Sequence, residues 1–183
     1  VIELIVTKRT DERLLKRMEV HYSQPKGFVG RNICYAILCD NQYYGHIVAG
    51  SATLHLPGRN DFFHMSKKGI NSVINNIFFN CAPVGSKYPL RNFTTAVIKK
   101  FIHQSAQDWY NKYKDTVIGH ETLIQPPRTG ELYRRAGFCK VGVTKGYTCK
   151  RVAGTGTDDW SGKRVWDTKN LVPKIVMCRK YDE

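Results

Sequence analysis

The 183-residue sequence predicts a mixed α/β (α+β) domain, and three observations carry that prediction. Short β-rich runs alternate with helical ones along the chain. One long amphipathic stripe occupies the middle. Two neighbouring β-rich runs are separated only by Asp40-Asn41-Gln42, which is turn chemistry and makes the pair a hairpin. The length suits one domain, 1–183, with one core.

The elements follow in order. Glu3-Leu4-Ile5-Val6 reads as a short strand, and Leu14, Leu15 and Met18 at helical spacing predict a helix over Thr10–Val20 that Thr10 or Asp11 can cap. Pro25 and Gly27 then signal a loop. Ile33–Leu38 and Tyr43–Leu54 form the hairpin, and Ile70–Phe79, rich in Ile, Val and Phe, is a further strand. After the loop Cys81–Pro89, the apolar stripe Phe93, Ala96, Val97, Phe101 and Trp109 predicts a helix from about Asn92 to Tyr110. Thr116–Ile124 reads as a strand, Thr129–Ala136 as a short helix stopped by Gly137, and Phe138–Lys150 as strand-like. Residues 153–169 are rich in Gly, Asp and Ser, interrupted by Trp160 and Trp166, and read as a loop-rich insertion before a last strand, Val172–Lys180.

Lys and Arg total 29 against 15 Asp and Glu, a formal net charge of +14 that calls for a polyanionic partner. Nucleic acid ranks first, because the excess is large for one domain and no acidic tail offsets it. No apolar run approaches the ~20 residues that span a bilayer, and no signal peptide opens the chain, so a membrane is not expected. The six cysteines are scattered without a C-x-x-C pair; free thiols in a reducing cytoplasm fit that pattern.

The element order resembles the GNAT acyltransferase fold, which implies a mostly antiparallel central sheet flanked by helices and acetyl-CoA as cofactor. In that fold, backbone amides between the fourth strand and the next helix hold the cofactor's pyrophosphate. The loop 80–91 stands there in this chain, with Gly85 and Ser86 for close backbone approach and Lys87, Arg91 and Asn92 as anion partners. The usual Arg/Gln-x-x-Gly-x-Gly/Ala pattern is absent, so the same loop reads equally as an ordinary connection with solvated basic residues. Asn75 and Asn76, costly inside an apolar strand unless paired, face either a ligand or a strand-edge bulge; with Phe79 they border the expected cofactor. Tyr133 with Gly137-Phe138 matches the GNAT "YxxxGF"-like signature, which implies a tyrosine near the departing sulfur, where a protonated hydroxyl can donate to a leaving thiolate.

His21-Tyr22-Ser23 after the first helix, Gly45–Ser51 at the end of the hairpin, and the Gly-x-x-Tyr-x-x-Ala-Gly-aromatic stretch Gly130–Phe138 resemble the bacteriophage Mom family of DNA-adenine modification proteins. That resemblance implies a phage-encoded enzyme of the bacterial cytoplasm. It would carbamoylmethylate the exocyclic amine of adenine in double-stranded DNA and so protect that DNA from restriction. His21 is suited to accept a proton from the acceptor amine, and Tyr22 to orient it. Ser23, Lys26, Arg128, Arg134, Arg135, Lys145, Lys150, Arg151, Trp160, Lys163 and Arg164 are the residues for DNA; from Pro126 onward 13 basic residues face 6 acidic ones. No metal is expected: iron is associated with Mom-type chemistry, but His46, His55 and His64 belong to no ligand spacing and no 2-His-1-carboxylate pattern stands out. A homodimer stays open. Two other readings also stay open: a GNAT enzyme acetylating a protein, an RNA or a small amine, and a non-catalytic DNA-binding anti-restriction protein.

Overall fold

Near-continuous apolar runs make β2 (Asn32–Cys39) and β3 (Gln42–Ser51) the buried middle of a seven-stranded sheet. The computed structural model describes residues 1–23, 25–151 and 164–181. Asp40 and Asn41, both at positive φ, close the β2–β3 hairpin in the left-handed conformation that a two-residue turn needs, as the turn residues predict. β1 (Ile2–Thr7) pairs with β2 on one side and β4 (Val73–Cys81) with β3 on the other, all antiparallel. β5 (Gly119–Ile124) joins β4 in parallel, and β9 (Ile175–Lys180) and β6 (Cys139–Val143) complete the order β1-β2-β3-β4-β5-β9-β6. β7 (Thr148–Arg151) and β8 (Arg164–Asp167) form a separate two-stranded ribbon.

Helices cover both faces, and the alternation of side chains along the strands sorts them. α1 (Glu12–Glu19), capped by the Asp11 carboxylate, packs Leu14 and Met18 on Cys34, Val48 and Phe78. α3 (Phe93–Tyr113) lays Phe93, Val97, Phe101 and Trp109 on Ile33, Tyr35, Ile37 and Ile47 of the opposite face. α4 (Glu131–Arg135) is a short helix before β6.

The strands and helices depart from their sequence-predicted bounds in places. β4 starts at Val73 because 67–72 is a 3-10 turn, and β9 starts at Ile175 because Pro173 has no N–H to give a ladder. The strand-like stretch 138–150 divides into β6 and β7, and part of the loop predicted at 153–169 is β8, where Val165 and Trp166 favour a strand. A five-residue helix, α2 (Arg59–Phe63), was not foreseen.

α2 positions the buried Arg59. Its Nη1 donates to Glu121 Oε2 at 2.9 Å and to the Thr53 carbonyl at 2.6 Å, while the Thr53 N–H donates to Glu121 Oε1 at 2.6 Å. Both charges are almost wholly removed from water (2% and 0% exposed), so loss of one strands the other. Arg59→Ala is expected to destabilise the fold by about 3–5 kcal/mol in chemical denaturation, and replacing both residues by apolar ones of similar volume should recover much of that loss.

Burial also depresses two histidines, His46 to about 4 and His120 to about 3. In the unfolded chain each takes a proton near the ordinary imidazole value of about 6.5. The unfolded state therefore binds more protons below that value, and the stability these rings contribute is full above it and lost as pH falls toward 4 and then 3. Denaturation midpoints should fall between about pH 7 and about pH 4, and His46→Gln should flatten that dependence.

Candidate active site

β4 and β5 are hydrogen-bonded at only three positions, Val73↔Gly119, Ile74↔His120 and Asn75↔Glu121, and then diverge. On the other side of β4 the register skips Ile77 between Val48↔Phe78 and Ala49↔Asn76, a bulge that increases local twist just where the strands part. Gly50 makes the bulge feasible: a Cβ there would lie 2.6 Å from Ile77 Cδ1. The wedge opens into a cavity of about 560 Å³ walled by Asn75–Phe79 of β4, Thr122–Ile124 of β5, the loop and helix 127–133, and His21-Tyr22-Ser23 after α1.

Tyr133 enters from α4. Gly130, at φ +78, starts this helix with its Cα against Met177, and the chain leaves it through Gly137 at φ +91, with the Phe138 N–H returning to the Tyr133 carbonyl at 3.0 Å. The Tyr133 ring packs edge-on to Phe138, and its oxygen accepts from Asn76 Nδ2 at 2.7 Å. The Thr122 side chain also hydrogen-bonds the phenol, and the oxygen that accepts from Asn76 carries its own proton. Burial holds the phenol well above its ordinary value, so it stays protonated at neutral pH. The other amide atom of Asn76, Oδ1, is buried without a partner among the described residues. Asn75, in contrast, donates to Thr53 Oγ1 at 3.0 Å and belongs to the Arg59–Glu121 network. Both amides line the cavity; Asn76 brings a spare acceptor to it, and the bulge falls on the next residue.

His21 is 7% exposed, its ring set between Tyr22 (4.2 Å) and Phe78 (4.7 Å). Its Nδ1 lies 2.7 Å from Ser23 Oγ and accepts the Ser23 N–H at 3.2 Å. Burial lowers its pKa; the Phe79 carbonyl beside the ring acts the other way and Arg128 adds to the lowering, so the ring is neutral at physiological pH. Ser23 thus meets His21 by hydrogen bonds, and Tyr22 meets it by ring contact. Tyr22 is turned outward, with the Arg128 guanidinium 3.7 Å from its ring centre, a cation–π contact across the cavity mouth.

The expected anion loop divides. Arg91 and Asn92, at the start of α3, line a depression with Thr95, Lys99 and Arg135; an adjoining one adds Arg134, Arg179 and Lys180. Gly85, Ser86 and Lys87 are not among the cavity linings. They sit in the tight turn closed by the Val84↔Lys87 bridge, where Gly85 serves a positive φ and a Cβ would meet no protein atom within 4 Å. Arg134 and Arg135 are both paired with Glu131, and Lys26 and Lys145 are exposed away from the main cavity. For Lys150, Arg151 and Arg164 the backbone places the residues in the β7–β8 ribbon; Trp160 and Lys163 lie outside the described residues. Among the described residues no cluster of His, Cys, Asp or Glu could hold a metal ion, and no helix is long and apolar enough to cross a membrane. Thr122, Thr129 and Lys174 line the cavity without having been singled out, since each is an ordinary polar residue at a strand or helix edge.

The fold as a whole recurs in solved structures. An acetyltransferase from Bacillus subtilis in complex with CoA superimposes with TM-score 0.59 over 99% of each chain at 9% identity. The aminoglycoside acetyltransferase AAC(6')-Ib with coenzyme A and kanamycin gives 0.58 over 98% of this chain and 95% of that one at 12% identity. A GNAT family acetyltransferase from Elizabethkingia anophelis with acetyl-CoA bound gives 0.55 over 98% of each at 12% identity. The fold is that of the GNAT acetyltransferases. The expected mostly antiparallel sheet flanked by helices is therefore present, and the likeness is one of fold. No family model and no curated protein sequence matches this GNAT-fold chain.

If the Asn76–Tyr133 bond ties β4 to α4 across the wedge, Asn76→Ala and Tyr133→Phe should be non-additive. A double-mutant cycle on unfolding free energy is expected to give a coupling of about 0.5–1.5 kcal/mol.

Proposed function

We propose that this protein transfers an acyl group from acetyl-CoA to an amine, with the β4–β5 wedge as the donor's site. The observation that carries the reading is the convergence of Tyr133 and His21, 112 positions apart in the chain (133 − 21), on one cavity at the point where the sheet opens. The residues present fit such a donor. Asn76 Oδ1 offers an unpaired buried acceptor to an amide N–H, and Arg91, Lys99 and Arg135 beside the free N–H groups of α3 offer cations to phosphates. The bound thioester supplies an activated carbonyl carbon. Tyr133, protonated and with its oxygen already held by Asn76, gives a proton to the departing sulfur, and the neutral His21 takes the proton released by the attacking amine.

For the acceptor, the charge discriminates. A polycationic amine such as an aminoglycoside is repelled by a +14 chain, whereas a nucleic acid is drawn to it. Two of the three segments that carry the resemblance to the Mom proteins, His21-Tyr22-Ser23 and Gly130–Phe138, contribute walls to the same cavity, with Arg128 at its mouth. An exocyclic adenine amine of DNA, presented from an extruded nucleotide, is thus the acceptor we favour. Nucleoside mass spectrometry of DNA from cells with and without the protein should reveal a new adenine derivative, and its mass separates an acetyl from a carbamoylmethyl group. Unchanged adenine, with acetylated protein or RNA instead, would move the acceptor to those classes. Tyr133→Phe is expected to lower kcat by ~10²-fold while acetyl-CoA still raises the melting temperature.

A further inference from the structure

Ser23 has a feature that holding the loop does not require. The Ser23 N–H already satisfies His21 Nδ1, yet the Ser23 hydroxyl also reaches that nitrogen, and more closely, at 2.7 Å against 3.2 Å. Because Nδ1 accepts the backbone N–H, it is the unprotonated nitrogen of the neutral ring, and the hydroxyl is the donor. The imidazole cannot swing away, wedged as it is between Tyr22 and Phe78 with the Phe79 carbonyl beside it. Any proton that reaches His21 Nδ1 must displace Ser23 Oγ or pass through it. Ser23 is itself exposed and lines the cavity that holds Tyr133. A serine hydroxyl on a fixed, neutral imidazole, facing a cleft with a protonated acid on its other wall, is the arrangement of an activated nucleophile.

We propose that Ser23 is a catalytic nucleophile, taking the acyl group as a seryl ester before the acceptor amine receives it; this rests on the reading of the wedge as an acyl donor's site. Ser23 Oγ bonds to the thioester carbonyl carbon as its proton moves to His21 Nδ1; the carbon–sulfur bond breaks, Tyr133 protonates the sulfur, and the proton on His21 passes back to Tyr133 as the thiol leaves. In the second step the amine nitrogen bonds to the ester carbon and gives its proton to His21. The ester bond breaks, and Ser23 Oγ recovers its proton from His21. The two steps sum to thioester plus amine giving thiol plus amide, with every proton returned. A transfer in two steps also spares the cleft from holding a nucleotide donor and a polyanionic acceptor together, which like-charge repulsion opposes.

Two measurements test it, one of them independent of any acyl donor. Diisopropyl fluorophosphate should modify Ser23 in the native protein, located by peptide mass spectrometry, and His21→Ala should slow that labelling by ~10²-fold or more. Absence of labelling on the folded protein overturns the proposal. Acid-quenched intact mass after mixing with acetyl-CoA should show one acetyl group, on Ser23, accompanied by free CoA; Ser23→Ala, which keeps the backbone N–H on His21, should show none. If acetyl-CoA raises the melting temperature yet leaves no acetyl group on Ser23, transfer is direct and the nucleophile is refuted while the donor site stands. If acetyl-CoA neither stabilises nor modifies the protein, the donor reading fails, and the fluorophosphate result alone decides whether Ser23 is activated.

Discussion

The separation of β4 from β5 after three ladder pairs is the constraint on which the site depends. A parallel pair left half-unzipped exposes backbone groups that need partners, and a strand with Asn75, Asn76 and a bulge at Ile77 replaces ladder bonds with side-chain chemistry at the divergence. Asn75 belongs to the closed part of the pair and Asn76 to the open part. Both line the cavity, but Asn75 is tied to Thr53 while Asn76 keeps an acceptor without a partner among the described residues.

Below the point of divergence, Thr53 gathers the polar contacts: its N–H to Glu121, its carbonyl to Arg59, its hydroxyl to Asn75. An ion pair this deep contributes little net stability compared with an apolar substitute, but it is satisfied in one arrangement only, and that arrangement sets where β5 leaves β4. Above the divergence, α4 is held by glycine geometry rather than by length. Five residues make a weak helix alone, and Gly130 against Met177 together with the turn at Gly137 fix its orientation and hence that of Tyr133.

Much of the architecture was legible in the sequence because it rests on local periodicity. The hairpin turn at Asp40-Asn41, the long stripe from Phe93 to Trp109 and the framed helix ending at Gly137 each signal themselves within a few residues. Tyr133, His21 and Asn76 were legible as chemistry out of place. Arg59 was not, because a buried arginine looks like a solvated one until Glu121, 62 residues on, is brought to it. The same limit applies to Ser23, whose proximity to the His21 nitrogen is a matter of ring rotamer.

The wedge also divides the sheet mechanically. On one side stand β1 to β4 with α1; on the other stand β5, β9 and β6 with α4; between them run three rungs, the Arg59–Glu121 clamp, the Asn76–Tyr133 strut, the Thr122 bond to the Asn76 carbonyl and the apolar core under α3, which packs against both halves. A molecule lying in the gap with its own amides would act as the rungs the two strands lack. Occupancy would then splice two half-sheets into one continuous beam, with the empty protein the more compliant of the two forms.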